Sequence, residues 1–134
     1  MPTPSPAASA APSTDPTLVR IVLAANDTDA CARFYTALLG IELEAAPVGD
    51  LKFFDGRLGS LALRIFPASI AGIEAKDNRH QLGFRVADLR GTLARALAAG
   101  GTMDEGWEVV PMQKGLTVAL RDPDGNSIEL FERR

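Results

Sequence analysis

The apolar and polar positions of this chain change period twice, and they do so at matching places. Ile21-Val22-Leu23-Ala24-Ala25 is an unbroken apolar run of strand length, closed by the polar cluster Asn26-Asp27-Thr28. Beyond it, Cys31, Phe34, Tyr35 and Leu38 fall at i, i+3, i+4 and i+7. That spacing predicts a helix with one apolar stripe, capped by the polar cluster and ended at Gly40. A second copy starts at Leu82-Gly83-Phe84-Arg85-Val86, with Asp88 as cap, Leu89, Leu93, Ala96 and Leu97 as stripe, and Gly100-Gly101 as stop. Adding 61 to Leu23, Ala25, Asp27 and Gly40 lands on Phe84, Val86, Asp88 and Gly101. Strand, cap and stop repeat at one offset.

Three short strands are predicted after each helix. In the first half they cover residues 41–46, 51–54 and 61–66, with Gly49-Asp50 and Asp55-Gly56 as turns. In the second half they cover 102–110, 116–121 and 127–132, parted by residues 111–115 and by Asp122-Pro123-Asp124-Gly125. Pro123 presets φ for that last turn, and Gly125 permits a positive φ. The pattern therefore gives an α+β fold of two βαβββ modules, about 18–66 and 80–132, joined by a linker over 67–79. One module alone leaves a sheet face uncovered. The two should pair around a central cavity, within the chain or across a dimer, and a homodimer is the expected state.

Composition narrows the function classes. The first seventeen residues hold five prolines, one charged residue and no aliphatic core residue beyond Met1, so they read as a disordered tail ahead of a domain over 18–134. The tail has neither the basic start and apolar centre of a signal peptide nor the arginines of a transit peptide. A net charge of −3 gives no footing for nucleic acid or an anionic membrane, and no apolar run approaches a membrane span. Cys31 is the sole cysteine, which excludes an internal disulfide and suits a reducing, cytoplasmic setting.

Phe34-Tyr35 in the first helix, Gly40 behind it, and Asp122-Pro123-Asp124-Gly125-Asn126-Ser127-Ile128-Glu129-Leu130 at the end resemble the vicinal oxygen chelate superfamily. This is the group of glyoxalases, bleomycin-resistance proteins and extradiol dioxygenases, and the resemblance covers residues 18–131. It implies a curved sheet around a cavity. Metal-using members place four ligands at points that fall here at Arg20, Arg64, Gln81 and Glu129. Only Gln81 and Glu129 could hold a divalent ion, because a guanidinium is permanently cationic and offers no lone pair. His80, the only histidine, lies next to Gln81. Alternation puts Gln81, Gly83 and Arg85 on the cavity face and His80, Leu82, Phe84 and Val86 on the helix-facing side, unless the register slips by one. The turn lacks the ligand ladder of an EF-hand.

The same alternation points Arg20, Val22 and Ala24 into the cavity and places Glu129 beside Ser127 and Phe131. A Glu between two apolar strand residues needs a partner. Glu129 either pairs with Arg20 or Arg85, or these groups stay open to a ligand. Trp107, expected on a long strand after the second helix, either stacks a planar ligand or packs in the core or an interface. Phe53 and Phe54 face opposite sides of one strand, and Cys31 and Tyr35 belong to the core stripe. The candidate ligand-binding set is Arg20, Phe53, Arg85, Trp107 and Glu129. The resemblance then implies a cofactor-free protein of the bleomycin-resistance type that sequesters a flat, largely apolar small molecule. The alternative is a metal-dependent glyoxalase-like lyase, isomerase or dioxygenase, with a divalent ion at Gln81 and Glu129, or a metal-free enzyme using Glu129 as acid or base. A dimerising module without a small-molecule role is the third reading. No nucleophile–base pair is legible.

Overall fold

The structure, a computed structural model, describes residues 15–72 and 78–133. The expected disordered tail thus lies, but for its last three residues, outside the described residues. The chain forms β1 (Arg20–Ala25), α1 (Thr28–Leu39), β2 (Glu44–Val48), β3 (Leu51–Leu58), β4 (Leu61–Pro67) and a short α2 (Ala68–Ala71). It continues with β5 (Leu82–Arg85), α3 (Leu89–Ala98), β6 (Val110–Met112), β7 (Gly115–Arg121) and β8 (Ser127–Arg133). Two four-stranded sheets result, ordered β1-β4-β3-β2 and β5-β8-β7-β6. β1 runs parallel to β4 and β5 parallel to β8, and the remaining pairs are antiparallel. These are the two βαβββ modules, and the structure shows no closed barrel. β1 and β5 each end their sheet, with one side free of ladder hydrogen bonds.

The two long helices, α1 and α3, start as the sequence indicates. Asp27 Oδ1 accepts from Ala30 N at 3.0 Å, and Asp88 Oδ1 accepts from Gly91 N at 3.1 Å. α1 buries Cys31, Ala32, Phe34, Tyr35 and Leu38 and ends at Gly40, whose φ of 67° lets its N–H reach Thr36 O. The stripe of α3 differs from expectation. Leu89, Thr92 and Ala96 are buried, Leu93 is partly so, and Leu97 is 38% exposed. The helix is rotated toward Thr92, whose Oγ1 accepts from Arg95 Nη2 at 3.1 Å, so the hydroxyl enters the core with its partner.

One apolar core serves both modules within the single chain. Ala25, Phe34, Tyr35, Phe54 and Ile65 of the first join Leu89, Val118, Leu120, Ile128 and Leu130 of the second. α1 also packs against α3. On β1, β4, β7 and β8 the residues that alternate with these core positions face away from the helices, which leaves Val22 49% exposed.

Three strand expectations need correction. The first strand after α1 lies at Glu44–Val48 instead of 41–46, and β3 runs through the predicted Asp55-Gly56 turn to Leu58. Gly56 is there for space: a β-carbon would meet Glu42 O at 2.5 Å and Leu43 Cδ2 at 2.7 Å where the α1–β2 connection crosses β3. The hairpin turn falls instead at Gly59, with φ of 64°. Of the expected strand over 102–110 only one bridge, Thr102 to Arg121, and Val110 remain, and Val110 opens β6, which runs on into the expected separator as far as Met112. Gly106, at φ of 87°, turns the chain out of the sheet between them.

Candidate functional site

The Asp-Pro-Asp-Gly-Asn segment is more than a hairpin. Asp122, 2% exposed, accepts from Asp124 N and Asn126 N on Oδ1, both at 2.9 Å. Its Oδ2 accepts from Asn126 Nδ2 at 3.1 Å and from the Tyr35 hydroxyl at 2.7 Å. Asp124 reaches the first module as well, its Oδ1 accepting from Asn26 N at 2.8 Å and Asn26 Nδ2 at 3.1 Å. The turn of the second module therefore anchors the first strand–helix junction of the other. Sequence reasoning placed Tyr35 in the core but missed this bond. The available signal was that a buried tyrosine needs a partner for its hydroxyl.

Burial and the nearby carboxylates Asp122 and Asp124 push the Cys31 thiol from its ordinary 9.0 up to about 12, and burial with Asp122 holds Tyr35 well above its ordinary value. Both groups deprotonate earlier in the unfolded chain than in the folded one. Their contribution is complete below pH 9 and fades between pH 9 and 12 for Cys31, because the unfolded state then binds fewer protons. Thermal midpoints should fall across that window, less steeply in Cys31→Ala. The native thiol should resist a thiol-specific reagent until the protein unfolds.

A slot of about 310 Å³ opens between the free edges of β1 and β5. Val22, Leu23, Ala24, Ala68, Leu82 and Ile128 give it apolar walls, and Tyr35 lies at its inner side. Its rim carries Asn26, Asn78, Arg79, His80, Asp124, Asn126 and Ser127. Asn78 holds the rim in place. Its Oδ1 accepts from Ser127 N at 3.0 Å, and its Nδ2 donates to Ser127 O at 3.1 Å and His80 O at 2.6 Å. The amide thus satisfies the start of β8 as a neighbouring strand would. His80 and Gln81 precede β5 instead of belonging to it, and His80 lies in the slot lining.

The sequence-predicted site residues are spread over the sheet faces away from the helices. Arg20, with Arg57 and Arg64, borders a second, more open hollow of about 680 Å³ that also holds Glu42, Glu44 and Asp55. Phe53 packs on Phe66, ring centroids 5.5 Å apart, under the Arg64 guanidinium at 4.8 Å. Glu129 pairs with neither Arg20 nor Arg85 among the described residues. Its partner is the Thr117 hydroxyl of the adjacent strand β7, at 2.8 Å. Gly83 lies opposite, leaving space beside Glu129, while Arg85 is exposed on the same strand. Trp107 sits in the loop before β6, not on a long strand, with the Arg121 guanidinium 5.1 Å from its ring. Asp104 fixes that guanidinium through Nε at 2.9 Å and Nη2 at 2.8 Å, and the pairing holds the Asp104 carboxyl below its ordinary value. Neither hollow is lined by Phe53, Arg85, Trp107 or Glu129.

The four points that would hold a metal do not fit one. Arg64 is committed to Asp55 through Nε at 2.7 Å and Nη2 at 3.2 Å, which keeps it more firmly protonated. Arg20 brings a second cation, and Gln81 is exposed and donates to Ser127 Oγ at 3.2 Å. Among the described residues no three His, Cys, Asp or Glu side chains converge.

The profile of the glyoxalase-like domain family matches residues 20–131. The chain belongs to this family. Solved structures of the glyoxalase-like type agree with that membership and with the vicinal oxygen chelate superfamily. A glyoxalase/bleomycin resistance protein from Albidiferax ferrireducens is 27% identical, with a TM-score of 0.66 over 87% of this chain and 98% of that one. A glyoxalase/bleomycin resistance protein/dioxygenase family enzyme from Burkholderia phytofirmans, 17% identical, gives 0.69 over 87% and 98%. An antibiotic binding protein from a Streptomyces species, 17% identical, gives 0.63 over 91% and 99%. The last two share the fold alone. No curated protein matches by sequence. Among the described residues of this glyoxalase-like chain, no helix is long and apolar enough to cross a membrane.

Proposed function

We propose that this glyoxalase-like protein binds a small, largely apolar molecule without a metal ion. The observation that carries the reading is the seam slot, with apolar walls and a polar rim held by Asn78, the usual make-up of a small-molecule site. The donor chemistry supports metal independence, since two of the four family ligand points are arginines and one of these is already paired. Arg20, Phe53, Arg85 and Glu129 remain candidates for ligand contact on the open sheet faces. A homodimer would cover those faces and the exposed Val22, and sedimentation at micromolar concentration tests that part.

The decisive experiment screens apolar small molecules by thermal shift and calorimetry, with and without a chelator, and titrates zinc, nickel, manganese and ferrous iron separately. Ligand binding should survive the chelator. Affinity that disappears with the chelator and returns with one metal per chain would favour the lyase or dioxygenase alternative.

A further inference from the structure

We propose that the seam slot is selective for a small carboxylate, its apolar body between β1 and β5 and its head group held by Arg79. This rests on the small-molecule reading above and adds the chemical class of the ligand. The rim's hydrogen-bonding groups show which of them are already engaged. Asn78 uses both ends of its amide on His80 and Ser127. The Asn126 amide nitrogen serves Asp122, and the Asn26 amide nitrogen serves Asp124.

The charges are equally unequal. The Asp122 carboxylate next to the rim is answered by four donors, and Asp124 by two N–H groups of Asn26. Arg79 is exposed at the rim and makes no ion pair among the described residues. Its planar guanidinium is matched by a carboxylate that accepts two parallel hydrogen bonds. Ser127 Oγ accepts from Gln81, which leaves its proton free to donate beside Arg79. The amide oxygens of Asn26 and Asn126, the second oxygen of Asp124 and the His80 ring are the rim acceptors that remain among the described residues. A slot selective for amines would use those instead.

The test titrates the full chain with three matched sets of probes: benzoate and hexanoate, the neutral benzamide and hexanamide, and the cationic benzylamine and hexylamine. The carboxylates should bind roughly tenfold more tightly than the amides, the effect of one charge-assisted hydrogen bond, and the amines most weakly. Arg79→Gln should erase the difference between benzoate and benzamide with an unchanged thermal midpoint, because Arg79 is exposed and makes no ion pair among the described residues. Val22→Trp, at a half-exposed position on the slot wall, should abolish binding of all six probes. Amines binding best, a carboxylate preference that persists in Arg79→Gln, or benzoate binding that is indifferent to Val22→Trp would each overturn the inference. Amides binding as tightly as carboxylates and blocked by Val22→Trp would overturn it too, and would leave the small-molecule reading standing. No binding of any probe to the unmodified protein would count against both.

Discussion

Asp122→Ala should lower folding stability by about 3–4 kcal/mol, read as a shift in the urea midpoint at constant slope. Four donors converge on this carboxylate: the Tyr35 hydroxyl, two backbone N–H groups and the Asn126 amide. Removing it orphans the buried hydroxyl and releases the turn that holds Asn26 through Asp124. Tyr35→Phe removes one donor and keeps the ring, so it should cost only about 1–2 kcal/mol. The two changes act on one bond and should not add. A double variant equal to the sum of the singles would mean that the hydroxyl and the carboxylate act independently.

Gly101→Ala should cost about 2–3 kcal/mol, more than Gly40→Ala at about 1 kcal/mol, although the two glycines match in the repeat. Gly40 has a φ of 67° and open space around it, so alanine there bears only the left-handed backbone penalty. At Gly101 a β-carbon would meet Phe34 Cε1 at 2.6 Å, Ala96 O at 3.0 Å and Arg121 O at 3.3 Å. Gly100, with φ of 106°, takes the left-handed role in the second module. Equal losses in the two variants, measured by denaturant unfolding, would show that close packing at Gly101 is not the cause.

The repeat carried the fold because it rests on local physics. Asp27 and Asp88 cap helices wherever they stand before them, and the Cys31–Leu38 stripe has one way to be buried. Strand ends were less legible. Residues 102–110 carry strand-like side chains, yet Gly106 and the Asp104–Arg121 pair hold most of them in a loop, and that pair joins segments 17 residues apart. Gly56 read as a turn because its real reason, the approach of Glu42 O, is a tertiary contact. The site was legible only as alternation along single strands. Alternation put Arg20 and Glu129 on cavity-facing positions, but it could not measure the gap between sheets, and so it missed the slot whose rim carries His80, Arg79 and Asn78.

β1 and β5 line the slot from opposite sides, and no backbone ladder ties one to the other. Widening that seam therefore breaks no sheet hydrogen bond. Its resistance lies in side chains, in Val22 and Leu82 on the walls, the Asp124–Asn26 contact, the buried Tyr35–Asp122 bond and the core common to both modules. The two halves are thus fastened by side chains, Asp124 to Asn26 and Tyr35 to Asp122, and by the core they share, and not by the ladders inside either sheet.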